Sequence, residues 1–250
     1  MVLELDYRLL LVFMNSNKIY IIAGAGSGLG KDFVKSISNK NSVIGLYNKN
    51  KISMKNVVSY KINLENEKEI NKFFIKKKKL INKFDELTFV NFATYKKDSL
   101  IININKSLIQ KTFNINLFSN FYFVSNFIKF FKNKKINIIF ISSSLGLKGD
   151  VGTSLYSSSK SALKNLMNSI VIEFSSLFNI RCNILVLGFF KSPLWDKLNL
   201  EKKQKIIELI PKNKLGKNKD IARAINFIEN SSYLNAQSIF LDGGFNKIKV

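Results

Sequence analysis

Histidine is absent from the 250-residue chain, and cysteine occurs once, at Cys182. The first absence excludes Ser–His–Asp and Cys–His catalysis and nearly every histidine-ligated zinc or haem site. The second excludes disulfides within the chain, CxxC redox pairs and cysteine metal cages. No metal site is therefore expected, and any chemistry must use Tyr, Lys, Ser, Asn or carboxylates. Proline occurs twice and arginine only at Arg8, Arg181 and Arg223. Long apolar runs are missing too. Leu9–Phe13 is far too short to cross a membrane, and it lacks the basic flank and small-residue cleavage site of a signal peptide. The expected location is the cytoplasm. Because Met14 leads straight into the first strand-like run, residues 1–13 are read as an extension of the gene model. A native mass that begins at Met1 would overturn this.

What the chain does carry is lysine, asparagine and phenylalanine, with a formal charge of +23. Lys, Asn, Ile and Phe have A/T-rich codons, whereas Arg, Pro, Gly and Ala largely do not. Base composition alone thus accounts for most of this surface. Nucleic-acid readers need the planar fork of Arg for bases and phosphates, and that fork is nearly missing. Nucleic acid is not the expected partner, although an acidic one remains electrostatically favoured.

Short apolar runs alternate with helical patterns along the chain. Strand-like segments are Lys18–Ala23, Ser42–Tyr47, Val57–Ile62, Leu87–Asn91, Ile136–Ser142, Arg181–Leu187 and Ser238–Leu241. Between them, Leu29–Ser38, Glu65–Phe84, Asn105–Phe131, Leu155–Phe178 and Asp220–Ile228 read as helices. Continuously apolar strands alternating with helices imply a parallel sheet covered on both faces. With no repeat, linker or compositional step, residues 14–250 form one domain of the α/β, doubly wound, Rossmann type.

Two patterns carry chemistry. Gly24, Ala25, Gly26, Ser27, Gly28, Leu29 and Gly30 lie between the first strand and the first helix. Glycines there let the backbone approach a pyrophosphate, and the helix N-terminus supplies N–H groups and a positive dipole end. Tyr156 and Lys160, four residues apart, share one helical face. An ammonium beside a phenol favours phenolate, so Lys160 is expected to bring the Tyr156 pKa toward neutrality and give a proton donor without histidine. Ser143, at the end of the clearest strand, can hold a carbonyl oxygen between its hydroxyl and that phenol.

Together with Asn91-Phe92-Ala93-Thr94, Asn116, Leu187-Gly188 and Asp242-Gly243-Gly244, these residues resemble the short-chain dehydrogenase/reductase family in order and spacing, from Lys18 to Gly244. The resemblance implies Tyr156 as general acid/base and Lys160 as ligand of the nicotinamide ribose. It implies Ser143 as the group orienting the substrate carbonyl, and Asn116 as holder of a water in a proton relay to Lys160. It also places Gly24–Gly30 at the phosphates, Asn63 and Leu64 beside adenine, Asn91 beside its ribose with Ala93 nearby, and Gly188 and Phe190 beside the nicotinamide. The chain departs from the family at Ala23, Phe92, Thr94, Leu187 and Ser192, all support positions. After the second strand stand Tyr47, Asn48, Lys49 and Lys51 with no acid, which favours NADP(H) over NAD(H).

Within the family, Asn63-Leu64, the segment Ile210–Phe227 and the Tyr233…Gly244 tail resemble 3-oxoacyl-[acyl-carrier-protein] reductases. The resemblance implies acyl carrier protein as partner, with Lys132, Lys134 and Lys135 as candidate docking residues. It also implies a substrate lid at about 189–214 and a homotetramer paired through the two long helices. The apolar load of Phe113, Leu117, Phe121, Phe123 and Phe127 fits that pairing. A sugar, polyol or other ketone reductase is the alternative enzyme. A nucleotide- or nucleic-acid-binding protein on an inert scaffold of this kind is the non-enzyme alternative.

Overall fold

The apolar runs of the sequence become seven parallel strands in a computed structural model that describes residues 17–247. The reading of residues 1–13 as an extension lies outside the described residues. In chain order the strands are β1 (Lys18–Ala23), β2 (Ser42–Tyr47), β3 (Val57–Lys61), β4 (Glu86–Asn91), β5 (Lys135–Ser143), β6 (Ile180–Leu187) and β7 (Ser238–Leu241). Their spatial order is β3-β2-β1-β4-β5-β6-β7, so the winding direction reverses between β1 and β4. The register is in phase there, with Ala23 opposite Asn91.

Side-chain alternation divides the core into two layers. Ile19 and Ile21 of β1 point to one face, where α2 (Glu67–Ile81), α4 (Ser119–Phe131) and α6 (Ser154–Phe174) cover them. Tyr20 and Ile22 point to the other, under α1 (Gly28–Ile37) and α9 (Asn218–Asn230). Phenylalanine fills the first layer: Phe74 meets Phe127 edge-on at 5.1 Å, and Phe89 stacks on Phe123 at 4.7 Å. The abundant asparagine caps helices. Asn66, Asn105 and Asn199 each accept a backbone N–H of the first turn beyond them. Arg181 donates to the carbonyls of Ile228, Glu229, Ser231 and Leu234, closing the C-terminal end of α9.

The helix bounds differ from their sequence expectation, most in three cases. The segment expected as one helix over Asn105–Phe131 is α3 (Lys106–Phe113), a π turn (Asn114–Phe118) and then α4. Hydrophobic periodicity does not register one extra residue in a turn. The Leu155–Phe178 helix ends at Phe174, and Glu65–Phe84 begins only after its Asn66 cap. Short helices α5 (Leu145–Lys148), α7 (Pro193–Asp196) and α8 (Leu200–Glu208) complete the fold. The last two occupy the expected lid segment.

Candidate active site

A sheet of this order leaves a crevice at the carboxyl ends of β1 and β4, where the helices on either side diverge. The glycine loop lines one wall. Gly24 has φ +75°, and a Cβ there would stand 2.5 Å from Ala93 N. A Cβ on Gly30 would stand 2.3 Å from Gly24 O. Both positions thus require glycine to seat α1 against the strand ends. Ser27 precedes α1 in extended conformation and makes no capping bond with its side chain. The loop is therefore a bare backbone cradle at a helix N-terminus, and it fits a dinucleotide pyrophosphate. Asn48, Lys49 and Lys51 are exposed at the tip of β2.

Three of the residues expected beside the cofactor have side chains engaged within the protein. Asn91 is buried, and its carboxamide donates to Asn120 Oδ1 at 3.0 Å and accepts from Ala93 N at 2.9 Å. Leu64 packs in the first core layer. Phe190 packs in the second, with its ring over Gly216. Asn63 Oδ1 accepts from Glu65 N at 3.1 Å, shaping the turn after β3. Gly188 follows β6, where a Cβ would stand 2.7 Å from Asp242 Cα.

On the other wall, β5 ends at Ser143 and α6 brings Tyr156 and Lys160 beside it. The helix is pinned there from both sides. Ser142 Oγ donates to Lys160 O at 3.0 Å, and Lys160 Nζ donates to Ile141 O at 2.9 Å. Burial alone lowers the Lys160 pKa to about 8. Ser143 and Thr94 lie near the Tyr156 hydroxyl and favour its ionised form.

The expected depression of the Tyr156 pKa by Lys160 is corrected by the structure. Burial raises the phenol, nearby Ser143 and Thr94 offset part of that rise, and the Asp98 carboxylate adds to it. Lys160 Nζ lies 6.0 Å from the ring centroid and is directed at a backbone carbonyl rather than at the phenol oxygen. Shared helical spacing puts two side chains on one face without fixing where their ends point. The phenol is consequently held in its protonated form.

Asn116 sits in the π turn, not in a regular helix. Its carboxamide donates to Tyr95 O at 2.9 Å and Ser159 Oγ at 3.0 Å. It accepts from Tyr95 N at 2.8 Å and Thr94 Oγ1 at 3.3 Å. That uses both donors and both acceptor sites. The side chain therefore has no position left for the expected relay water, and Asn116 O accepts from Asn120 Nδ2 at 3.0 Å. Ser159 joins this network by donating to Tyr156 O at 2.8 Å. Neither Thr94 nor Ser159 was legible as a site residue, because one looked like a motif departure and the other like helix filler.

Asp242 braces the same region. Its carboxylate accepts from Ser144 Oγ at 2.9 Å and from the backbone N–H groups of Gly244 and Asn246, each at 3.0 Å. Beyond it, Leu145, Ile210 and Phe245 form a small apolar cluster with Tyr156, Phe189 and Ile206 against it. The lysines expected to dock a carrier stand elsewhere. Lys135 opens β5, eight residues before Ser143, so it lies about 26 Å away at the opposite edge of the sheet. Lys134 and Lys135 are also paired with Asp85 at 3.2 Å and Glu86 at 3.0 Å. Among the described residues no three His, Cys, Asp or Glu side chains are grouped to hold a metal. No helix among them is long and apolar enough to cross a membrane.

A glycine cradle at a topological switch point facing a Ser–Tyr–Lys wall defines a nicotinamide-dependent oxidoreductase acting on carbonyl or hydroxyl groups. The family model described as short chain dehydrogenase matches residues 18–203, and the chain belongs to the short-chain dehydrogenase/reductase family. Curated relatives include a 3-oxoacyl-[acyl-carrier-protein] reductase of Buchnera aphidicola, 30% identical over 92% of this chain and 97% of the relative. The reductase of the same name from Rickettsia bellii is 31% identical over 92% and 97%. Among solved structures, a Bacillus anthracis short chain dehydrogenase superposes with TM-score 0.82 at 19% identity, covering 94% of this chain and 98% of that one. A Serratia marcescens short-chain dehydrogenase/reductase mutant gives 0.81 at 19%, covering 92% and 98%.

Proposed function

We propose that the protein reduces 3-oxoacyl thioesters carried on acyl carrier protein, using NADPH. The observation that carries this reading is Tyr156 of α6 beside the end of β5 at Ser143, packed against an apolar cluster with Phe189, Ile206 and Leu145. Such a cluster suits an acyl chain better than a sugar or polyol, whose hydroxyls would lack partners there. The relatives' names point the same way. The Gly24–Gly30 cradle would hold the pyrophosphate of the dinucleotide, which when bound would supply the hydride. Ser143 holds the substrate carbonyl oxygen by hydrogen bond. Tyr156 gives its proton to that oxygen as negative charge develops on it. Lys160 contributes positive charge to the site, and Tyr156 regains its proton from solvent. The segment at 189–214, with α7 and α8, covers the acyl chain. Four positions after β2 without an acid support NADPH over NADH. NADPH oxidation with an acetoacetyl thioester tests the proposal, and the expected preference for NADPH is at least about tenfold. Turnover of polyols but not thioesters would overturn the substrate, and equal use of NADH would overturn the cofactor.

We further propose that the protein is a homotetramer paired through α4 and α6. Phe123 and Phe127 are buried in the protomer core, whereas Phe121 stays 47% exposed. It borders a groove of about 650 Å³ lined also by Leu117, Val124, Ile128, Leu166 and Ile170. Phe121→Asp is expected to convert the tetramer to smaller species in light scattering. An unchanged mass would place the interface elsewhere.

A further inference from the structure

Five cationic side chains gather around one cleft. Lys212, Lys214, Lys217, Lys219 and Arg223 line a cavity of about 380 Å³, with Phe189, Phe190, Leu215 and Leu241 as its apolar wall. Two carboxylates line it with them, and both are engaged. Asp220 pairs with Arg223 at 3.4 Å and accepts from Lys217 N at 3.3 Å. Asp242 accepts from Ser144 Oγ and from the N–H groups of Gly244 and Asn246. The four lysines are exposed, and among the described residues no acidic side chain pairs with them.

Base composition accounts for abundant lysine, but it works against arginine. Arg223 is one of three in the chain, and its side chain is 73% exposed on the rim of this cleft. Arg181, by contrast, is used inside the protein to close α9.

The cleft adjoins the site. Phe189 belongs both to its wall and to the apolar cluster that holds Tyr156. Asp242 lines it and accepts from Ser144, the residue after Ser143, at 2.9 Å. Gly216 N donates to Phe189 O at 2.9 Å and Lys212 N to Gly243 O at 3.3 Å, which ties the cationic loop to the segments that follow β6 and β7. The cleft therefore opens at the carboxyl edge of the sheet, where β5 ends at Ser143, whereas Lys135 begins β5 at the opposite edge.

We propose that this cleft docks the acidic surface of acyl carrier protein. The proposal rests on the reading of the chain as a reductase of carrier-bound thioesters. The unpaired ammonium groups meet carboxylates of the carrier, and the apolar wall receives a side chain between them, as in a protein interface with an apolar centre and a polar rim. A nucleic acid would ask for several Arg forks or exposed rings; here Arg223 stands alone and Phe190 is buried.

The test is the double variant Lys217→Glu/Lys219→Glu, outside the lid. Acidic residues suit the start of α9, so the fold should hold. Binding of holo-acyl carrier protein, read by fluorescence anisotropy of labelled carrier without turnover, is expected to weaken about tenfold and to depend less steeply on salt. KM for acetoacetyl-acyl carrier protein should rise by a similar factor. Turnover of the uncharged acetoacetyl N-acetylcysteamine thioester should not change. Lys132→Glu should bind carrier like the wild type. Equal carrier affinity in wild type and double variant would overturn the proposal. So would a loss confined to Lys132→Glu, or a wild type that binds a random-sequence oligonucleotide and not the carrier. Intact carrier binding without reduction of either thioester would remove the proposed reaction and leave the docking surface standing.

Discussion

Tyr156→Phe is expected to lower kcat for carbonyl reduction by about three orders of magnitude, within the range that a positioned general acid contributes. The change deletes one oxygen from a half-buried ring, so the fold should be retained. The neighbouring hydroxyls have contacts of their own: Ser143 Oγ accepts from Leu145 N at 3.3 Å, and Thr94 Oγ1 donates to Asn116 Oδ1 at 3.3 Å. Dinucleotide affinity should stay close to that of the wild type, because the cradle at Gly24–Gly30 lies on the opposite wall. Steady-state kinetics beside a cofactor titration will check this. Equal loss of binding and turnover would mean that the phenol is structural, and undiminished turnover would remove it from the mechanism.

Lys160→Met is expected to abolish useful activity and, at neutral pH, to stabilise the protein. Burial holds the Lys160 pKa at about 8 against an ordinary value of 10.5. Below pH 8 the side chain is charged in both the folded and the unfolded chain, and the full desolvation penalty opposes folding. Between 8 and 10.5 the unfolded chain binds the extra proton, so wild-type stability rises with pH across that window. The penalty amounts to roughly 3 kcal/mol, and losing the bond to Ile141 O returns roughly 1 kcal/mol of it. The net gain in Lys160→Met should raise the melting temperature by about 4–8 °C at pH 7. Wild type and variant should converge as the pH approaches 10.5. A variant that melts lower at pH 7, or a gap that does not close with pH, would show that Lys160 is not destabilising. The expected pattern is a functional group held at the expense of fold stability.

Much of the architecture was legible because it rests on short-range rules. Apolar runs of strand length gave all seven strands with ends displaced by at most a residue, and their lack of alternation gave the parallel sheet. The glycine cluster was legible because Gly24 and Gly30 answer steric demands that no other residue meets. Ser143, Tyr156 and Lys160 were legible as a set because strand end and helical face place them together.

Other features depend on contacts between segments far apart in the chain. The π turn at Asn114–Phe118 became visible only once Asn116 was seen bound to Tyr95 and Ser159. The lysines at 132–135 looked like a docking patch until the strand direction placed them at the far edge of the sheet.

By itself the sequence, through its missing histidine and single cysteine, determined that any redox chemistry here needs no imidazole or metal cage. Its spacing determined the sheet and the residues that gather at the sheet's carboxyl edge. Only the tertiary structure decided the state of those residues. Burial, which no local pattern records, keeps Tyr156 protonated and weakens the charge on Lys160. Packing decided the internal partners of Leu64, Asn91 and Phe190, and it turned Thr94 from a motif departure into a partner of Asn116.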